Sequence, residues 1–156
     1  MIHIDFVCTG NICRSPMAEV IIRQKLIDAS LDHAVHVTSS GIGGWHVGNP
    51  ADSRAVAELA AAGYDGSAHR AAQFGGSRMD ADLIVALDTR HVSELVARGV
   101  PEDRIRLLRS FDPASPSGAG VEDPYYGGPE GFTVTRQQIE AAADGILDLS
   151  LIHISE

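Results

Sequence analysis

The residues best suited to chemistry in this chain of 156 lie in one short run, Val7-Cys8-Thr9-Gly10-Asn11-Ile12-Cys13-Arg14-Ser15-Pro16. Cys8 and Arg14 are separated by five residues, among them Gly10 and Asn11. These two residue types tolerate the backbone angles of a tight loop whose successive N–H groups turn inward onto one anion. Ser15-Pro16 reads as a helix start with proline in the first helical position, so the positive end of a helix points at the same spot. The thiolate is the nucleophilic form of cysteine, and an ordinary cysteine is only a few per cent ionised at neutral pH. A ring of amides, a helix end and a guanidinium all favour the anion. The Arg14 fork also suits two phosphoryl oxygens as charge spreads over them in a transition state. The chemistry is attack by sulfur on a phosphate ester. A lone cysteine near a strand end would be a small packed residue, and it is the combination of spacing, loop and helix start that points elsewhere.

Such an attack needs an acid to protonate the departing oxygen, and two Asp-Pro pairs offer one, Asp112-Pro113 and Asp123-Pro124. Asp123 precedes Tyr125, Tyr126 and two glycines, a movable loop with aromatic walls. Aspartate in a loop is ordinarily a turn former, so its role depends on the cysteine loop. The same carboxylate would deprotonate the water that hydrolyses a phosphocysteine. Trp45, the single tryptophan, falls with Tyr125 and Tyr126 in predicted loops, where the three would flank a phenol ring. A deep slot of this kind would hold serine phosphate too far from the sulfur. Ser15 is a donor to that sulfur, a helix cap, or both. Cys13 is a redox partner of Cys8 or a small packed thiol.

The elements that must position these groups alternate. Ile2, Ile4 and Phe6 alternate with His3 and Asp5 and lead through Val7 to Cys8, predicting a strand. A helix follows from Pro16 to about Ser30. Val35–Thr38 reads as a second strand ending in Ser39-Ser40-Gly41. The glycine-rich 42–45 loop fails the dinucleotide fingerprint because its third glycine position is His46. Pro50 opens a helix that stops at Gly63. Ala81–Leu87 predicts a strand covered on both faces, Asp88 or Thr89 starts a short helix ending at Gly99, and Ile105–Leu108 is a fourth strand. A long Pro/Gly/Ser loop from Asp112 to about Gly131, of a length more often functional than idle, precedes a last helix through Phe132, Ile139 and Ile146. After Leu147 the run to Glu156 looks atypical and Leu151–Ile154 more β-like. Alternation of this kind gives a parallel sheet wrapped on both faces, with ligands at the carboxyl ends of its strands. The expectation is a single three-layer αβα domain over residues 1–156.

Residues 7–19, Val-Cys-Thr-Gly-Asn-Ile-Cys-Arg-Ser-Pro-Met-Ala-Glu, closely resemble the signature of the bacterial low-molecular-weight protein tyrosine phosphatases. The resemblance continues through Ser40-Gly41, Trp45-His46-Val47-Gly48, His69–Gln73 and Asp123–Gly127, as far as about residue 147. It implies a flavodoxin-like, phosphotyrosine phosphatase I-like fold with strand order 2-1-3-4. It implies hydrolysis of phosphotyrosine in proteins, with Cys8 as nucleophile, Arg14 binding the phosphate through the loop 9–14 and Asp123 as acid. It also implies that Asn11, Ser40 and His69 hold the loop in shape. Three other readings of the same residues are a protein arginine phosphatase, an arsenate reductase and a phosphate-binding module without turnover. The first resembles this loop but carries threonine where this chain has Ile12. The second needs further cysteines, and none follows Cys13. Retention of Cys8, Arg14 and Asp123 together argues against the third.

A net charge of −9 opposes a general nucleic-acid or anionic-membrane surface. The resemblance implies phosphotyrosine proteins as partners and inorganic phosphate and other oxyanions as inhibitors, and the charge adds the expectation of no nucleic acid and no membrane. The chain is expected to act as a monomer, weak dimerisation being the alternative. The seven histidines show no metal-ligand spacing, so neither metal nor cofactor is expected. Two cysteines in one loop point to reactivity in a reducing compartment. Without a charged n-region and apolar h-region the expected location is cytoplasmic, export without a cleaved signal leaving no such mark.

Overall fold

A computed structural model describes residues 1–155. Four strands, β1 (Ile2–Cys8), β2 (Val35–Gly41), β3 (Leu83–Ala86) and β4 (Ile105–Leu107), form one parallel sheet in the order β2-β1-β3-β4. Helices α1 (Arg14–Asp28), α2 (Ser53–Ala61), α3 (Thr89–Ala97) and α4 (Pro129–Ser155) cover it. Period-2 alternation splits the core into two layers. Ile4, Phe6 and Cys8 of β1 face a cluster that includes Met17, Ile21 and Leu26 of α1, Leu59 of α2, and Phe132, Ile139 and Ile146 of α4. Val7, Ile84 and Ala86 face Leu95 of α3 with Val100 and Ile105. Each fully buried side chain of this size stabilises the fold by about 1.5–3 kcal/mol. The sheet sits centrally, and β1 lies between β2 and β3, so its carboxyl end at Cys8 is supported on both sides.

Sequence and structure differ at several boundaries, each for a physical reason. Pro16 is the third helical residue, because α1 begins at Arg14 with Cys13 as its cap. The whole first turn has N–H groups without intrahelical acceptors, so proline is tolerated throughout it. The second helix starts at Ser53, where the Asp52 side chain accepts from the Arg54 N–H at 2.9 Å. Pro50 stands outside it. β2 extends through Gly41 because Val7 and Cys8 pair with Ser40 and Gly41.

The run after Leu147 is helical, contrary to the β-like expectation, and α4 continues to Ser155. Neither glycine nor proline interrupts it, helix propagation adds one bond per residue, and β-propensity expresses itself only where a strand partner exists. Ser150 turns inward and donates to the Ile146 carbonyl at 2.9 Å, while Leu151, Ile152 and Ile154 face outward. The last residue of that run, Glu156, lies outside the described residues. None of the described helices is long and apolar enough to cross a membrane.

Candidate active site

β1 ends at Cys8, the chain turns through Thr9–Cys13, and α1 begins at Arg14. The turn wraps the floor of a cavity of about 340 Å³ lined by Cys8, Thr9, Gly10, Ile12, Cys13 and Arg14 below and by Trp45, His46, Asp123, Tyr125 and Tyr126 around its mouth. Cys8 and Arg14, neighbours in one short loop, share this cavity with Asp123 and the three aromatic residues, which are distant in sequence. Trp45 and Tyr126 are 74% and 90% exposed and Tyr125 is 42% exposed, so their faces stand free at the rim. Tyr125 and Tyr126 meet edge to face with centroids 4.9 Å apart.

The loop keeps its shape through Asn11. Its φ of 60° is left-handed, a conformation asparagine tolerates. Its fully buried side chain donates to Ser15 Oγ at 2.8 Å and Ser39 Oγ at 2.9 Å, and accepts from the Ala72 N–H at 2.9 Å. His69 Nε2 donates to the Asn11 carbonyl at 2.8 Å, since the carbonyl can only accept. Gly10 is not in the left-handed region. Its lack of a side chain serves close approach instead, because a Cβ there would meet the His46 ring at 3.0 Å.

Ser40, expected to hold the loop with its side chain, acts through its main chain. Its carbonyl accepts from Ser15 Oγ at 3.2 Å, while its hydroxyl donates to buried Asp5 at 2.7 Å. Ser39 is the side chain that contacts Asn11, and its hydroxyl donates to Glu19 Oε1 at 2.5 Å. Strand alternation carries the signal that identifies it. Ser39 lies on the face of Val35 and Val37, toward α1, whereas Ser40 lies with Thr38 on the face of Asp5.

Ser15 Oγ lies 2.9 Å from Cys8 Sγ. It is not a helix cap, since no side chain caps α1. The same hydroxyl also reaches the Ser40 carbonyl at 3.2 Å, and toward a thiolate, which can only accept, it would be the donor. Arg14 is buried, with NH1 donating to the Val121 carbonyl at 2.9 Å and NH2 to Thr9 Oγ1 at 3.2 Å. Carboxylates of Asp123 and Asp88 stand 3.7 and 3.9 Å from the guanidinium. Tyr125 N–H donates to Asp123 Oδ1 at 3.0 Å, which turns Oδ2 toward Arg14. Both cysteines are free, and burial above all pushes the Cys13 thiol up, so it stays protonated.

His91 is a site residue that the sequence reading missed. It is 2% exposed and its Nε2 lies 2.9 Å from Thr9 Oγ1, the hydroxyl that also accepts from Arg14. Its Nδ1 has no hydrogen-bond partner among the described residues. Burial, reinforced by the Arg14 charge, lowers its pKa to about 4. Its signal was positional: the first turn of α3 follows β3, whose carboxyl end adjoins that of β1.

Residues 3–152 match the family model described as low molecular weight phosphotyrosine protein phosphatase. The chain belongs to this family. It is similar to the low molecular weight protein-tyrosine phosphatase A of Mycobacterium tuberculosis, 52% identical over 148 residues that cover 94% of this chain and 90% of that one. A Streptomyces coelicolor low molecular weight protein-tyrosine-phosphatase is 51% identical over 93% of this chain and 91% of its own. Among solved structures, an Entamoeba histolytica protein tyrosine phosphatase with Hepes in the active site superposes with a TM-score of 0.90 at 29% identity, covering 100% of both chains. A Drosophila arginine phosphatase gives 0.82 at 29%, covering 93% of this chain and 95% of that one. The match to the family model ends at residue 152, within the helical run after Leu147.

Proposed function

We propose that this chain hydrolyses phosphotyrosine in proteins through a phosphocysteine intermediate. One observation carries the reading: Cys8, Arg14 and Asp123 line a single cavity whose mouth is walled by Trp45, Tyr125 and Tyr126. Phosphate enters the Thr9–Arg14 loop with the amides and the Arg14 fork on its oxygens. Cys8 sulfur attacks phosphorus, the bond from phosphorus to the aryl oxygen breaks, and Asp123 gives that oxygen its proton. Water then attacks the phosphocysteine, Asp123 takes the proton back, and the S–P bond breaks. Ser15 donates to the departing thiolate. Asn11, Ser39, Ser40 and His69 hold the loop through the bonds described above.

A solved structure of the same fold is named an arginine phosphatase, the Drosophila protein. Ile12 on the cavity lining presents an apolar side chain, which suits a phenol ring better than a guanidinium. Cys13 lines the same cavity, and oxidation of the pair to a disulfide, with peroxide as the acceptor of two electrons, would block attack reversibly. Phosphate and other oxyanions would compete for the loop. The chain is read as one domain, monomeric and cytoplasmic.

The test is turnover of a phosphotyrosine peptide and of p-nitrophenyl phosphate, with a phosphoarginine peptide alongside. Turnover of the first two, lost in Cys8→Ser, with little on the third, supports the reading. Inertness of the wild-type protein with tight phosphate binding overturns it, and faster turnover of phosphoarginine moves the substrate class.

A further inference from the structure

We propose that Asp52 and Arg54 form a bracket that sets the acid loop against the phosphate loop, making Arg54 a positioning residue for proton transfer by Asp123. The inference rests on the phosphatase reading above.

One end of the bracket is tied to the phosphate loop. The Asp52 N–H donates to the Ile12 carbonyl at 2.8 Å. From that anchored residue the carboxylate grips Arg54, with Oδ1 accepting from Nε at 3.0 Å and from the Arg54 main-chain N–H at 2.9 Å, and Oδ2 accepting from NH2 at 2.9 Å. The guanidinium holds the Asp52 carboxyl below the usual carboxylate range, chiefly through these side-chain bonds. A fork engaged in this way loses its rotational freedom, unlike an ordinary surface ion pair.

The other end reaches the acid loop. Arg54 NH1 points to the Gly127 carbonyl at 3.4 Å, and its Cζ lies 5.4 Å from the Tyr125 ring centroid. The same guanidinium lies 4.8 Å from the ring of Phe132, which is fully buried in the core. Tyr125 in turn fixes Asp123 through its N–H.

Pro124 packs into the fold at the start of segment 124–128, but few hydrogen bonds hold the rest of it. Its other hydrogen bonds are local: Tyr125 N–H to Asp123, Gly127 N–H to the Pro124 carbonyl and Gly131 N–H to the Gly128 carbonyl. Among the described residues, Arg54 supplies the one hydrogen bond to this segment from elsewhere in the fold. Before Asp123 the loop is secured differently, by Val121 N–H on the Leu87 carbonyl at 2.7 Å and by Arg14 on the Val121 carbonyl. Arg54 therefore completes the second anchor of a loop whose carboxylate must meet the leaving oxygen. A misplacement of about 1 Å in a reacting group costs on the order of a hundredfold in rate.

A positioning role for an acid has a kinetic signature that general loss of structure lacks. A poor leaving group needs the proton and a good one does not. The experiment compares kcat/KM for phenyl phosphate and 2,4-dinitrophenyl phosphate in wild type, Arg54→Met and Arg54→Lys, with Asp123→Asn as reference and inhibition by inorganic phosphate as a check on the phosphate loop. Arg54→Met is expected to lose about tenfold on phenyl phosphate and less than about threefold on the dinitrophenyl ester, with phosphate inhibition unchanged. Arg54→Lys keeps the charge without the fork and should fall between the two. Equal loss on both esters, or none on either, overturns the bracket. Wild-type inertness toward both esters would instead overturn the phosphatase reading itself.

Discussion

Ser15 Oγ stands 2.9 Å from Cys8 Sγ, and the same hydroxyl accepts from Asn11 Nδ2 at 2.8 Å. Asn11 thus aims the Ser15 proton at the sulfur. The bond matters most when sulfur leaves phosphorus, because negative charge returns to it then. Ser15→Ala is expected to slow breakdown of the phosphocysteine by about a hundredfold, as loss of one preorganised donor does elsewhere. Rapid-quench measurement should find the phosphoenzyme accumulating. A slowed burst with no accumulation would place the serine in the first step instead.

Asp123 is placed by its own turn and faces Arg14. Asp123→Ala should lower kcat/KM for phenyl phosphate by about 10²–10³ while leaving substrate affinity close to wild type. Binding measured in the Cys8→Ser background checks the affinity. An unchanged rate would move the acid to another residue.

Ser39 and Ser40 are adjacent in sequence but point into different networks. Ser39→Ala leaves the Asn11 amide and the Glu19 carboxylate each short of a partner, at about 1–3 kcal/mol, and should reduce kcat with the lost loop geometry. Ser40→Ala leaves its carbonyl in place for Ser15 and removes only a bond to Asp5. Its kcat should stay near wild type while its stability falls by about 1 kcal/mol. Thermal unfolding and kcat measured together separate the two, and identical behaviour would contradict the assignment.

Two buried groups impose opposite pH dependence on stability. Asp5 is wholly buried, and desolvation raises its pKa to about 6, against hydrogen bonds from Thr38 and Ser40 that lower it. The folded state therefore binds its proton more tightly, and stability from this group falls as pH rises from about 4 through 6. His91, lowered to about 4, binds its proton less tightly when folded, so stability from it rises between pH 4 and 6.5. Linkage makes each worth on the order of 3 kcal/mol, with opposite signs. The two offset each other in the wild-type protein. Asp5→Asn should leave a stability curve that rises with pH across that window, and His91→Asn one that falls. Denaturant unfolding at a series of pH values reads both, and parallel curves would sink the assignment.

The alternation of apolar runs with helical patterns was enough to establish a parallel α/β sheet, because side-chain periods of 2 and 3.6 are local properties of the chain. The Cys8–Arg14 loop was equally legible: its chemistry lies within a few consecutive residues, so spacing alone implies proximity. Of the two Asp-Pro pairs, the aromatic and glycine-rich sequence after Asp123 and the family resemblance pointed to it, and Asp123 does line the cavity with Cys8 while its role as acid stays a proposal. The helical end of the chain was not, because the choice between strand and helix after Leu147 turns on whether a partner strand lies within reach, and α4 simply continues.

Residue type and local spacing thus determined the fold class and pointed to the loop from Cys8 to Arg14 on which the proposed nucleophile sits. Tertiary structure alone decided that Ser39 rather than Ser40 turns to Asn11, that His91 lies against Thr9, and that Arg54 reaches the Gly127 carbonyl. Those contacts join positions 28, 82 and 73 residues apart. No local pattern records which distant side chain will arrive at a hydroxyl or a carbonyl. That follows only from how the sheet orders its strands and which face each helix presents to it.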